Sequence, residues 1–167
     1  VGSALPSPQT EESTVTDQVL LELRDLTLAG GPGRRDVLSD IDLVIHAGEI
    51  VGIAGVEGNG QAELVEVVMG MEEPTSGIVL LEGTDITDWP VRRIREAGVG
   101  YIPEDRHRHG LLLEAPLWEN RILGHQTQPP NVKGPLIDAR GARSDTERII
   151  AEFDVRTPSV DVKAGSL

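Results

Sequence analysis

The feature that most constrains this chain is the run EIVGIAGVEGNGQAELVEVVMG, residues 49–70. A short, nearly all-apolar segment, EIVGIAG, predicts a strand buried on both faces, as in a parallel sheet flanked by helices. It meets a bend holding Gly55, Gly58 and Gly60, and a helical pattern opens at Gln61 with Leu64, Val65 and Val68 on one stripe. Such a strand, bend and helix aim several backbone N–H groups at one spot, where the helix adds a partial positive end. Glycine suits the bend because it accepts positive φ and lets a phosphate approach the backbone closely.

The spacing of Gly55 and Gly60 matches the phosphate loop G-x-x-x-x-G-K-[ST] and not the dinucleotide fingerprint G-x-G-x-x-G. The loop therefore runs Gly55, Val56, Glu57, Gly58, Asn59, Gly60, Gln61, Ala62, with Gln61 and Ala62 where Lys and a hydroxyl residue are expected. Gln61 can donate a neutral hydrogen bond but carries no charge. Loss of a charge-assisted contact of roughly 1.5–3 kcal/mol weakens phosphate binding about ten- to a hundredfold. Ala62 cannot ligate Mg²⁺, which threatens hydrolysis more than binding. Glu57 adds repulsion if it turns inward. Two readings stay open on loop chemistry: a nucleotide site that has lost its charge, or a tight turn that never held a nucleotide.

Around this unit the chain alternates strand and turn patterns. Residues 1–18, rich in Ser, Thr, Pro and acid, read as a flexible linker. VLLELRDLTL and VLSDIDLVI show apolar residues at period two, and IVLLEG is a further strand. TDWPVRRIREAG predicts a short helix with Asp88 as N-cap and Gly98 at its end. VGYI is expected to form a second buried strand before the polar burst PEDRHRHG. LWENRILG and SDTERIIAEF are helical in pattern, separated by the loop QTQPPNVKGP. The expected organisation is a linker over 1–18, an antiparallel β subdomain with part of a nucleotide-binding core over 19–111, and a partial helical subdomain over 112–167. The ending KAGSL gives the chain the look of a cut piece.

Composition narrows the function classes. With 28 acidic against 15 basic residues, the net charge is −13. Coating DNA or RNA needs excess Lys and Arg, so no nucleic-acid partner is expected. A local anion site built from amides does not depend on net charge. There is no cysteine, which excludes disulfides and thiolate metal sites and fits a reducing, cytosolic setting. No apolar run approaches the ~20 residues of a membrane span, and no signal-peptide pattern opens the sequence.

With GVEGNGQAEL, GVGYIPEDRHRHGL and FDVRTPS in view, residues 19–167 resemble the ATP-binding subunits of ABC importers. The resemblance is to the second, C-terminal and degenerate nucleotide-binding domain of the tandem ATPases for simple sugars and nucleosides, and leans toward the nucleoside branch. It implies an α/β P-loop NTPase fold of ABC type, with an antiparallel β subdomain and a partial helical subdomain, truncated before the family's signature motif. Gly55 to Ala62 then correspond to Walker A, and Glu104 takes the Gln position of the Q-loop, with Asp105 and Arg106 beside it. A carboxylate at 104 accepts only and cannot donate as an amide does. AGGPGRRDV lacks the aromatic residue that often stacks on adenine.

The resemblance implies ATP as ligand, with Mg²⁺ weakly held. It implies the first nucleotide-binding domain and membrane permease subunits as partners, and a place at the cytoplasmic face of the cell membrane. Arg106, His107, Arg108 and His109 then lie on or near the permease-facing surface, against the plainer expectation of a solvated basic loop. A metal site at His107 and His109 lacks a third ligand, and His46 and His125 are isolated. No hydrolysis by the chain alone is expected. A structural adaptor that no longer binds nucleotide is the rival. An independent P-loop enzyme needs a cation at the phosphates, for which Arg34 and Arg35 are the open candidates. Self-association through a bared sheet edge is a further expectation.

Overall fold

The structure is a computed structural model, and it describes residues 13–167. Residues 1–12 of the expected linker lie outside the described residues. The chain divides into two compact units, the first running to Ile94 and the second from Arg95 to Leu167.

The first unit is built on an antiparallel sheet of four strands in the order β2-β1-β3-β4: β1 Val19–Leu28, β2 Leu38–His46, β3 Ser76–Leu81 and β4 Thr84–Asp85. The period-two reading of β1 holds only as far as Leu23. Register shifts on both neighbours between Leu23 and Thr27, with Asp25 at φ 48°, mark a bulge. One extra residue flips the phase, so that Leu23, Leu26 and Leu28 are all buried. The Asp25 N–H, released from the ladder, donates to Asp42 Oδ1 at 3.0 Å. In β2 the alternation is as expected, with Ile41, Leu43 and Ile45 more buried than Asp42 and Val44. Glu82 and Gly83, both at positive φ, make the two-residue turn from β3 to β4.

Residues 13–18 are not free chain. The Thr16 N–H donates to the Ala47 carbonyl at 3.0 Å, and Ala47 returns a bond to Gln18 at 2.8 Å. Thr14 crosses Gly48, whose missing Cβ leaves room for the Thr14 carbonyl. These bonds satisfy backbone groups left open at the strand edge at 46–48.

Helix α1 (Gln61–Val68) buries Leu64, as the expected stripe had it, and Val67 in place of Val65 and Val68. Met69, buried, and Gly70, at φ 67°, end it. Gly70 packs against the corner before α2 (Val91–Glu96): a Cβ there would meet the Trp89 carbonyl at 2.7 Å and Ile94 Cδ1 at 2.8 Å. The first turn of α2 closes on the Pro90 carbonyl rather than on Asp88.

Two expected strands are absent. Neither EIVGIAG nor VGYI pairs with a strand among the described residues. Ile50 is 98% exposed and Ile102 82%. Their apolar composition suits strands sandwiched between neighbours. Without a hydrogen-bonding neighbour on either edge the backbone has no ladder to join.

The second unit holds α3 (Leu117–Arg121), a hairpin of β5 (Val132–Lys133) and β6 (Leu136–Ile137), and α4 (Ala139–Glu152). Asp138 caps α4, accepting from the Arg140 and Gly141 amides at 3.0 and 3.1 Å. That cap starts the helix ahead of the expected SDTERIIAEF. The loop QTQPPNVKGP contains β5 and the turn that leads into β6, a hairpin that its Pro and Gly content obscured. Asn120 holds residues 112–116 in place: its side chain accepts from Leu112 N–H at 2.8 Å and donates to the carbonyls of Leu112, Ala115 and Pro116.

A candidate phosphate loop and a polar turn

Gly55 to Ala62 come together as one exposed loop at the N-terminus of α1. Gly58 and Gly60 take positive φ, 83° and 95°, as the bend requires. Gly60 is the N-cap, buried against the start of β2, where a Cβ would meet the Val37 carbonyl at 2.8 Å and Leu38 Cδ2 at 3.0 Å. Gly55 is glycine for a different reason. Its φ is not positive, but the Gln61 carboxamide occupies the space a Cβ would take. Gln61 Nε2 donates across the loop to the Val56 carbonyl at 3.3 Å, and Asn59 Nδ2 donates to the same oxygen at 3.0 Å. Two neutral side chains thus hold the loop to one of its own carbonyls.

The main-chain amides are differently placed. Among the described residues no N–H from Gly55 to Glu63 has a protein acceptor; the first helical bond runs from Leu64 to the Gly60 carbonyl at 2.9 Å. No side chain caps α1. Those of Gly60 to Glu63 are the donors a helix leaves unsatisfied at its start, and they favour an anion. Glu57 and Ala62 are exposed, so neither fills the mouth from a buried position.

Glu104, Asp105 and Arg106 cluster in the second unit. Asp105 Oδ1 accepts from the Arg108 N–H at 3.0 Å and caps a single wide turn of π type over Arg106–Gly110. That helical turn was not legible as more than a polar burst. Its cause is local: the Asp105 side chain satisfies one donor, and the His109 N–H closes on the Asp105 carbonyl at 2.9 Å. Asp105 is thereby a structural cap. Glu104, Arg106, His107 and His109 are exposed, and no hydrogen bond or ion pair holds their side chains among the described residues. Beside this turn lies a shallow groove lined by His107, Leu111, Leu112, Leu113, Pro116 and Glu119. No group of three or more His, Cys, Asp or Glu that could hold a metal occurs among the described residues. None of their helices is long and apolar enough to cross a membrane.

The antiparallel sheet, the glycine loop and the helix it opens define an ATP-binding cassette fold. The chain belongs to the ABC transporter family, whose profile matches residues 38–162. Its relatives narrow the branch. It is 42% identical over 149 residues to the nucleoside import ATP-binding protein NupA of Lactococcus lactis subsp. cremoris, covering 89% of this chain and 29% of that protein. It is 41% identical to the guanosine import ATP-binding protein NupO of Bacillus subtilis, over 79% of this chain and 26% of that protein. It is 34% identical to the ribose import ATP-binding protein RbsA 2 of Streptomyces coelicolor, over 93% and 29%. The chain thus spans less than a third of the length of these relatives. Among solved structures, an ATP-binding cassette dimer bound to ADP and Pi aligns with a TM-score of 0.68 at 17% identity, covering 89% of this chain and 63% of that one. A nucleotide-free cassette from an ABC transporter aligns at 0.65 and 21% identity, over 89% and 59%. At these identities the likeness is one of fold.

Proposed function

We propose that this chain is a nucleotide-binding domain of an importer ATPase for nucleosides or simple sugars, from the second, hydrolytically impaired half of the machine. The observation that carries the reading is the set of unpartnered amides from Gly55 to Glu63 around a loop that lacks both Lys and a hydroxyl residue. The amides can grip the phosphates of ATP, while Gln61 and Ala62 supply neither the charge nor the Mg²⁺ ligand that turnover demands. Mg²⁺ then arrives with the nucleotide and is held weakly. The names of NupA and NupO support the nucleoside branch. In this reading ATP is clamped between this domain and the first nucleotide-binding domain. The turn over Arg106–Gly110, with the apolar groove beside it, meets the membrane permease subunits at the cytoplasmic face.

A second reading has its own support. The Gln61 and Asn59 carboxamides close on the Val56 carbonyl, and a loop held shut by its own side chains suits an adaptor that only couples the catalytic half to the permease. Titrating ATP, with and without Mg²⁺, into ¹⁵N-labelled protein separates the two. Shifts at Gly58 to Ala62 are expected at millimolar ATP. No shift there, with permease capture retained, establishes the adaptor.

A further inference from the structure

We infer that Arg34 and Arg35 supply the cationic anchor for nucleotide phosphates that the loop itself lacks. The inference rests on the nucleotide-binding reading above and names two further residues of that site. The first unit contains five Lys or Arg residues among those described: Arg24, Arg34, Arg35, Arg92 and Arg93. Arg24 is committed to Glu22 at 2.6 Å. Arg93 lies over the Trp89 ring, 3.6 Å from its centroid. Arg92 and Arg93 belong to α2, whose preceding corner packs on Gly70, at the far end of α1 from the phosphate loop. Eight helical residues, roughly 12 Å, separate the two ends. His46 is engaged by Glu49 at 3.2 Å.

Arg34 and Arg35 differ from Arg24 and Arg93 in having no such partner, and from Arg92 in lying at the phosphate-loop end of α1. Both are exposed, and neither takes part in an ion pair among the described residues, even with Asp36 adjacent. Their loop is folded back on itself. Arg34 N–H donates to the Gly31 carbonyl at 3.1 Å, the Arg35 carbonyl lies where a Cβ on Gly30 would stand, and Val37 N–H returns to Leu28 at 2.8 Å. The same Val37 presents its carbonyl to Gly60, the cap of α1. Arg35 is two residues from that contact, a chain length of at most about 7 Å, which puts a long, flexible side chain within reach of the start of α1 and its unpartnered amides. A guanidinium binds phosphate oxygens by paired, charge-assisted hydrogen bonds and never loses its charge near neutral pH. Because that charge stays on the protein, it also substitutes in part for the metal that Ala62 cannot ligate. Binding should then survive removal of Mg²⁺.

Calorimetric titration of ATP and adenosine into the wild-type chain, R34A/R35A and R34K/R35K, in EDTA and at two salt concentrations, tests this. R34A/R35A should lose about ten- to a hundredfold in ATP affinity and show a flatter salt dependence. The lysine pair keeps the charge but not the paired hydrogen bonds, so its affinity should fall between the other two, and adenosine should not distinguish the three. Wild-type binding that R34A/R35A matches in strength and salt dependence overturns the inference and leaves the nucleotide site standing. Absence of ATP binding by the wild type at millimolar concentration removes the nucleotide reading, and this inference with it.

Discussion

Replacing Gln61 with Lys is the perturbation whose size the loop geometry sets most directly. Gln61 Nε2 reaches the Val56 carbonyl at 3.3 Å, and the carboxamide lies against the open side of Gly55. A lysine ammonium set on the same backbone can donate to the same carbonyl, so the loop keeps its internal tie. Gln61 is half-buried at the first position of α1, and substituting one good helix former for another costs about 0.1 kcal/mol or so. What is added is one charged contact to phosphate, worth roughly 1.5–3 kcal/mol, or about ten- to a hundredfold in affinity. Equilibrium dialysis with labelled ATP should record that gain for Q61K. Adenosine, which has no phosphate, should show none. Q61A should bind ATP no better than the wild type, because its amides are already free. If Q61K binds ATP no more tightly than the wild type, the loop does not hold phosphate as described. If both gain equally, the carboxamide is a plug and its removal, not the charge, is what matters.

Other consequences can be checked separately. Steady-state ATPase activity of the purified chain should be undetectable, and turnover that survives exhaustive purification would contradict the impaired-half assignment. Gly55→Ala should displace the Gln61 carboxamide, and adding Q61A should relieve that clash; thermal melts of the single and double variants show whether it does. Asp138→Ala removes the cap from two amides of α4 and should cost about 1 kcal/mol in chemical denaturation. The hydrogen bond from Lys163 Nζ to Glu114 at 2.7 Å holds the Glu114 carboxyl below the ordinary range and lifts Lys163 above its own. The Glu114 contribution is therefore present above about pH 4.3 and fades as pH falls through its lowered value; the Lys163 contribution is present below about pH 10.4 and fades above. Melting temperatures of wild type and E114Q should differ slightly at pH 7 and converge as pH falls through the lowered Glu114 value.

The antiparallel strands were legible because their apolar residues alternate against polar ones. The break in that alternation at Asp25 was not, since a bulge changes phase without changing composition. EIVGIAG and VGYI read as strands for the same reason that any short apolar run does. Composition reports what a segment would bury, while a strand also needs a neighbour's backbone, which no local pattern supplies. At the candidate site, the glycines, the missing lysine and the helix start were all visible in the spacing. Hidden were the contact of Val37 with Gly60, a tertiary contact that leaves no trace in residue order, and the local side-chain bonds from Asn59 and Gln61 back to Val56. The signal that could have found them was present in part: two carboxamides, at 59 and 61, flank the last glycine of a loop with carbonyls to satisfy.

The account turns on the amides of Val56 to Glu63 facing open space and receiving phosphate there. Amide hydrogen exchange of these residues, with and without ATP, measures it directly. The expected result is fast exchange in the free protein, slowed by ATP and by ADP but not by adenosine. Amides already protected without nucleotide, or exchange unchanged at saturating ATP, would contradict it.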